Sequence, residues 1–146
     1  MNDKYFLDTN IIIYSIGNII PKKKVSVDLI GNNAVISTQI ITESANVMHR
    51  KLKYGYSDIR AITEKFVQEM NLSIITHHTI NNAFNISERY GYSYYDSQVI
   101  ASALESDSPV LYSEDLQHNQ IIEHRLRIIN PFHIISLWDL TALRSV

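Results

Sequence analysis

Four acids stand where this chain could do chemistry: Asp8, Glu43, Asp96 and Asp115. Asp8 ends the short apolar run Tyr5-Phe6-Leu7, and apolar character resumes at Ile11 to Tyr14. That pattern reads as strand, sharp polar turn and helix, with Thr9 or Asn10 as the helix-start residue. Glu43 falls in the first turn or two of a helical stretch that follows the apolar Ala34-Val35-Ile36. Asp96 lies in the first turn of a helix whose apolar positions are Val99, Ile100, Ala103 and Leu104. Asp115 follows the apolar Val110-Leu111-Tyr112 by way of Ser113 and Glu114. Taken singly, each has an ordinary reading. Asp8 serves as a helix cap, Asp96 as an anion favoured by a helix dipole by about 0.3–1 kcal/mol, and the others as surface acids.

Taken together they imply something else. In an open α/β sheet, chemistry sits beyond the carboxyl ends of the strands. Carboxylates gathered there repel one another strongly in a low dielectric, and a divalent cation resolves the repulsion. Oxygen donors without cysteine or histidine suit Mg²⁺, or Mn²⁺, better than Zn²⁺. One or two such ions lower the pKa of a bound water and stabilise charge on a phosphoryl group. The expected chemistry is phosphodiester hydrolysis without a covalent enzyme intermediate.

The elements that must position these acids are legible as alternating short strands and longer helices. Ile11 to Ile20 reads as a helix interrupted at Gly17-Asn18, and Pro21 as the start of a second helix. Helices also follow from Gln39, from Ser57 or Asp58, from His78 or Thr79 to a stop at Gly91, and through Asp96. Leu72 to Ile75 and Ile128-Ile129 are further short strands, and Ile134-Ile135 with Leu137 to Leu143 close the chain. Strands alternating with helices make βαβ units and a mainly parallel sheet, with helices on both faces. The expected architecture is a three-layer α/β/α sandwich forming a single domain over residues 1–146.

Composition sets limits. The chain has 146 residues, 45% of them apolar, which suits one domain with an ordinary core. It has no cysteine, so disulfides, thiolate nucleophiles and zinc–thiolate sites are excluded. Its formal charge of -2 gives no global basicity on which to argue nucleic-acid binding. No apolar run approaches the ~20 residues that span a bilayer, and the first residues do not resemble a signal peptide. A cytoplasmic protein with no membrane association is expected.

The chain resembles PIN-domain ribonucleases of the kind found as VapC-like toxins of type II toxin–antitoxin pairs. The resemblance covers nearly the whole chain. It rests on Leu7-Asp8-Thr9-Asn10, on Ser37-Thr38-Gln39-Ile40-Ile41-Thr42-Glu43, on Tyr95-Asp96-Ser97 with Val99-Ile100-Ala101-Ser102-Ala103, and on Tyr112-Ser113-Glu114-Asp115-Leu116-Gln117-His118. It implies that Asp8, Glu43, Asp96 and Asp115 form an acidic quartet, with Asp8 and Asp96 as direct metal ligands. Ser113, Thr9 and Asn10 would orient it. It also implies an RNA substrate, Mg²⁺ or Mn²⁺ as cofactor, a small cognate antitoxin and a homodimer. One departure is Asn119, where similar sequences often carry glycine after Gln-His.

Two other readings compete with this one. A haloacid-dehalogenase-like phosphatase would use Asp8 as nucleophile, but it wants a second acid two residues on, where this chain has Asn10. A non-catalytic, RNA-binding scaffold would keep the fold without the reaction, and the full set of acids argues against it. Among other residues, His77, His78 and His118 read as surface positions, and Lys22, Lys23 and Lys24 as a solvated face. Glu114 reads as an acid pointing away from the site. Arg50, Lys51 and Lys53 read as a solvated helix end that could touch RNA phosphates. Tyr90, Tyr92, Tyr94 and Tyr95 read as core and rim packing that could stack on bases.

Overall fold

A computed structural model of the chain describes residues 2–133. Its strands are β1 (Tyr5–Leu7), β2 (Ala34–Ser37), β3 (Asn71–Ser73), β4 (Val110–Tyr112), β5 (Ile121–Ile122) and β6 (Leu126–Ile129). Its helices are α1 (Thr9–Ile16), α2 (Ile20–Leu29), α3 (Thr38–Arg50), α4 (Tyr56–Glu69), α5 (His77–Tyr90) and α6 (Tyr94–Glu105). The strands form a six-stranded sheet in the order β3-β2-β1-β4-β6-β5. All neighbours are parallel except β5 and β6.

The strand order explains where a site can form. From β1 the chain steps outward to β2 and β3, then returns to place β4 on the other side of β1. Right-handed crossovers in opposite directions put their helices on opposite faces. Accordingly α1, α2, α3 and α4 pack against one another, while α5 and α6 pack as a separate pair. The order reverses between β1 and β4, and the crevice beyond their carboxyl ends is the switch point where such sheets bind ligands.

The three-residue runs Tyr5-Phe6-Leu7 and Val110-Leu111-Tyr112 are central strands because apolar side chains can be buried on both faces. Phe6, Leu7, Ile36 and Leu111 are fully buried, and Ile11, Ile40 and Ile100 close on them from the helices. Every β2 residue is buried, so this strand can only be internal.

Several boundaries differ from the sequence expectation for physical reasons. Asp8 itself, rather than Thr9 or Asn10, is the cap of α1. β3 begins at Asn71, whose side-chain amide donates to Asn32 O and Ala34 O and so ties it to the start of β2. α4 begins at Tyr56 after Gly55, with no side-chain cap. α5 begins at His77, behind a capping box made by Thr76 and Thr79. Residues 121–129 form an antiparallel hairpin whose turn residues Glu123 and His124 have φ of 52° and 58°. The expected closing segments, Ile134-Ile135 and Leu137 to Leu143, lie outside the described residues. No described helix is long and apolar enough to cross a membrane.

Candidate acidic metal centre

Asp8 is the fixed point of the site. Because β1 is buried on both faces, its last peptide delivers Asp8 into the switch-point crevice, where the residue is only 7% exposed. Its Oδ1 accepts from Thr9 N at 2.7 Å, which caps α1. Its Oδ2 accepts from Ser113 Oγ at 2.7 Å and from Asn10 Nδ2 at 3.5 Å. Burial raises its pKa from 3.8 to about 6. The Ser113 and Thr9 hydrogen bonds oppose that rise, while the charges of Glu43 and Asp96 reinforce it. Asp8 thus caps α1 with one oxygen while the other lies in the crevice, held by Ser113.

Glu43 comes from the second turn of α3, which starts where β2 ends. Its Oε2 accepts from Thr9 Oγ1 at 2.7 Å and its Oε1 from Gln39 Nε2 at 2.8 Å. Thr9 thus joins two acids, with its backbone on Asp8 and its hydroxyl on Glu43. Asp96 is in the first turn of α6, behind the cap Ser93, whose Oγ accepts from Asp96 N. Among the described residues nothing donates to the Asp96 carboxylate. Its charge nonetheless acts on Asp8.

Asp115 lies beyond β4 and is exposed. Asn10 Nδ2 donates to its Oδ2 at 3.2 Å. Ser113 Oγ, while donating to Asp8, accepts from Asp115 N and Leu116 N, and so shapes the loop that carries Asp115. Asn10 completes the loop by accepting from Glu114 N at 3.2 Å.

The sequence-predicted residues thus gather at one end of the sheet, though not as a finished ligand shell. Among the described residues no three Asp, Glu or His side chains already close around one point. Asp8 and Glu43 are held by two or more donors each, whereas Asp96 and Asp115 stand more loosely at the rim. The candidate ligand atoms are all carboxylate oxygens, which suits a hard divalent cation. The mutual repulsion that helps raise the Asp8 pKa is what such a cation would relieve.

Other expectations meet mixed outcomes. Glu114 points away from Asp115, to Lys22 Nζ at 2.7 Å and Tyr14 Oη at 2.8 Å. Lys22 is therefore not part of a solvated face. Burial acts to lower its pKa, but the bonds to Glu114 and Tyr14 outweigh that and raise it. His118 accepts from Asn130 N and stacks on His133 at 4.4 Å, so it braces a loop. Asn119 takes a left-handed φ of 69°, a conformation that asparagine tolerates better than most residues. Tyr90 and Tyr92 are anchored by their hydroxyls to Glu123 N and to Gln120 and Gln117. Tyr95 is exposed beside Asp96. Arg50, Lys51 and Lys53 are exposed, with no ion pair among the described residues. His77 and His78 open α5 on the surface.

Sequence reasoning missed Gln39 and Gln98, both more than nine-tenths buried beside the acids. Gln39 does fall inside one of the motifs quoted above, but only its place in three dimensions marks it.

A family model of the PIN domain matches residues 5–123. That is most of the chain, and the chain belongs to the PIN-domain family. No curated protein sequence matches it as a relative. Among solved structures it is similar to a toxin–antitoxin complex from Klebsiella pneumoniae, at 15% identity over 88% of this chain and 98% of that one, with a TM-score of 0.68. It is also similar to VapC20 of Mycobacterium tuberculosis, described as a sarcin-ricin-loop-cleaving toxin, at 15% identity, 77% and 90% coverage and a TM-score of 0.62. A third is VapBC2 of Rickettsia felis bound to a promoter DNA fragment, at 17% identity, 85% and 97% coverage and a TM-score of 0.59. At such identities these likenesses describe a shared fold.

Proposed function

We propose that the protein is a metal-dependent endoribonuclease and the toxin of a toxin–antitoxin pair. The observation that carries this reading is the buried Asp8 carboxylate at the switch point, with its pKa raised to about 6 and with Glu43 and Asp96 close enough to contribute to the rise. Membership of the PIN family and the likeness in fold to toxins of toxin–antitoxin systems support it.

Asp8 and Asp96 would hold Mg²⁺, or Mn²⁺ in its place, with Glu43 and Asp115 completing the ligand set. When bound, such an ion supplies an activated water and stabilises charge on the phosphate under attack. The chain's own residues do the positioning. Ser113 and Thr9 N fix the Asp8 carboxylate, Thr9 Oγ1 fixes Glu43, and Asn10 links Asp8 to Asp115. Arg50 lies about two turns along α3 from Glu43, roughly 10 Å at 1.5 Å per residue, and Lys51 and Lys53 follow the end of that helix. There they would neutralise RNA phosphates.

The proposed partners are single-stranded or loop RNA, a small antitoxin, and a second copy of the chain as a homodimer in the cytoplasm. The phosphatase alternative finds no support in the site. The position two residues after Asp8 is an amide donor, Asn10, that spans Asp8 and Asp115. Purified protein incubated with unpaired RNA tests the reading. Cleavage should stop with EDTA and return with Mg²⁺ or Mn²⁺, and Asp96→Asn should abolish it. Cleavage that ignores chelation, or an Asp96→Asn variant as active as wild type, would overturn it.

A further inference from the structure

A one-way chain of hydrogen bonds leads into Glu43 from the opposite helical layer. Tyr94 Oη donates to Gln98 Oε1 at 2.7 Å. Gln98 Nε2 donates to Gln39 Oε1 at 2.9 Å. Gln39 Nε2 then donates twice, to Glu43 Oε1 at 2.8 Å and to Tyr95 O at 3.1 Å. Gln39 and Gln98 are 6% and 8% exposed, so water cannot readily replace a lost partner.

The direction of this chain is set from the Glu43 end. A buried amide must present nitrogen to acceptors and oxygen to donors. Gln39 faces a carboxylate and a carbonyl on one side and the Gln98 amide nitrogen on the other. Turning Gln39 over would set its oxygen against two acceptors at once. Gln39 Oε1 fixes Gln98 in turn, because only the Gln98 amide nitrogen can donate to it, and the Tyr94 hydroxyl, able to donate or accept, then donates to the Gln98 oxygen.

The consequence concerns the distance between acids. Glu43 is on α3, on one face of the sheet, and Asp96 follows Tyr95 directly in the first turn of α6, on the other. Gln39 holds the Glu43 carboxylate with one N–H and the peptide before Asp96 with the other. We propose that Gln39 and Gln98 are positioning residues that set the spacing of Glu43 and Asp96 in the acid cluster, with Tyr94 completing the chain at its far end. This rests on the metal-dependent reading above and goes beyond it by assigning the spacing to buried amides that hold no metal themselves.

The test compares wild type with Gln39→Ala, Gln98→Met, Gln98→Glu and Tyr94→Phe. Mn²⁺ affinity is read from the spin-resonance signal of the free ion, alongside RNA cleavage and melting temperature. Thr79→Val is the control. It removes a buried hydroxyl that donates to Glu105, remote from the acids, and should lower the melting temperature without changing Mn²⁺ affinity. Loss of an outer hydrogen-bond partner typically weakens metal binding or activity by about 10–100-fold. That range is expected for Gln39→Ala, with a smaller loss for Gln98→Met and the least for Tyr94→Phe.

Gln98→Glu is the sharpest variant. A carboxylate there can only accept, so Gln39 must turn its nitrogen towards position 98 and its oxygen towards Glu43. It should weaken Mn²⁺ binding more than Gln98→Met does, although position 98 does not touch Glu43. Should Gln39→Ala fail to fold, the Gln98 pair decides alone. Wild-type Mn²⁺ affinity in both Gln98 variants would overturn the relay and leave the nuclease reading standing. Wild-type protein that binds no Mn²⁺ would take down the nuclease reading, and the relay with it.

Discussion

The acid cluster has two unlike halves. Asp8 and Glu43 sit inside a lattice of donors: Thr9, Ser113 and Asn10 on the first, Thr9 and Gln39 on the second. Asp96 and Asp115 stand at the rim, Asp96 with no donor to its carboxylate among the described residues and Asp115 with Asn10 alone. In the proposed metal site the fixed half would set the place of the cation, and the rim half would close on it. A fully rigid shell of four carboxylates would carry a larger electrostatic cost without metal, and a fully free one would hold a cation in no defined place.

The largest effect should come from breaking either half at its proposed metal ligand. Asp8→Asn and Asp96→Asn should each lower RNA cleavage by about 10³-fold or more, the scale on which loss of charge stabilisation is felt. Their stabilities should differ. Asp8 has its pKa raised from 3.8 to about 6. At ~1.4 kcal/mol per unit, the ionised Asp8 costs the metal-free fold roughly 3 kcal/mol at neutral pH. Asp8→Asn should recover up to that amount in denaturant unfolding. Asp96→Asn should recover clearly less.

The pH dependence follows from the same shift. The folded state holds the Asp8 proton up to about pH 6, while the unfolded state releases it near 3.8. Metal-free wild type should therefore be favoured at acid pH relative to Asp8→Asn. That advantage should fade as pH rises through the interval and be gone above it. The difference between the two unfolding curves at each pH reports Asp8 together with its coupling to Glu43 and Asp96. A saturating divalent cation should cancel the dependence by keeping Asp8 ionised.

Smaller effects should come from the donors. Ser113→Ala removes the hydroxyl that holds Asp8 and the Asp115 loop together. It should lower cleavage by about 10–100-fold, and stability by about 1–3 kcal/mol. Thr9→Val should act mainly through Glu43, with a loss nearer the low end of that range. The smallest effect is expected at the Lys22–Glu114 pair, which lies beside the cluster but does not touch it. Lys22→Met should cost at most about 1 kcal/mol and leave cleavage within a few-fold of wild type.

The same contrast shows what the sequence could reveal. Asp8 and Asp115 are legible because each closely follows a short apolar run, and Glu43 and Asp96 because each lies in the first two turns of a helix of clear period. Such signals are local. Gln39 and Gln98 meet across 59 residues, and no local pattern reports a side-chain amide facing another. Lys22 and Glu114 meet across 92 residues, so a lysine in a run of three reads as solvated when it is not. The β5–β6 hairpin was hidden because Glu123 and His124 occupy its left-handed turn positions, where glycine or asparagine would have been the signal.

A crystal of the protein soaked in Mn²⁺, with the ion located by its anomalous scattering, tests the central claim most directly. The account predicts a peak in the crevice beyond β1 and β4, with Asp8 and Asp96 oxygens as ligands and the Asp96 and Asp115 side chains drawn in from the rim. A Mn²⁺ peak elsewhere, or none at ion concentrations that saturate RNA cleavage, would contradict it.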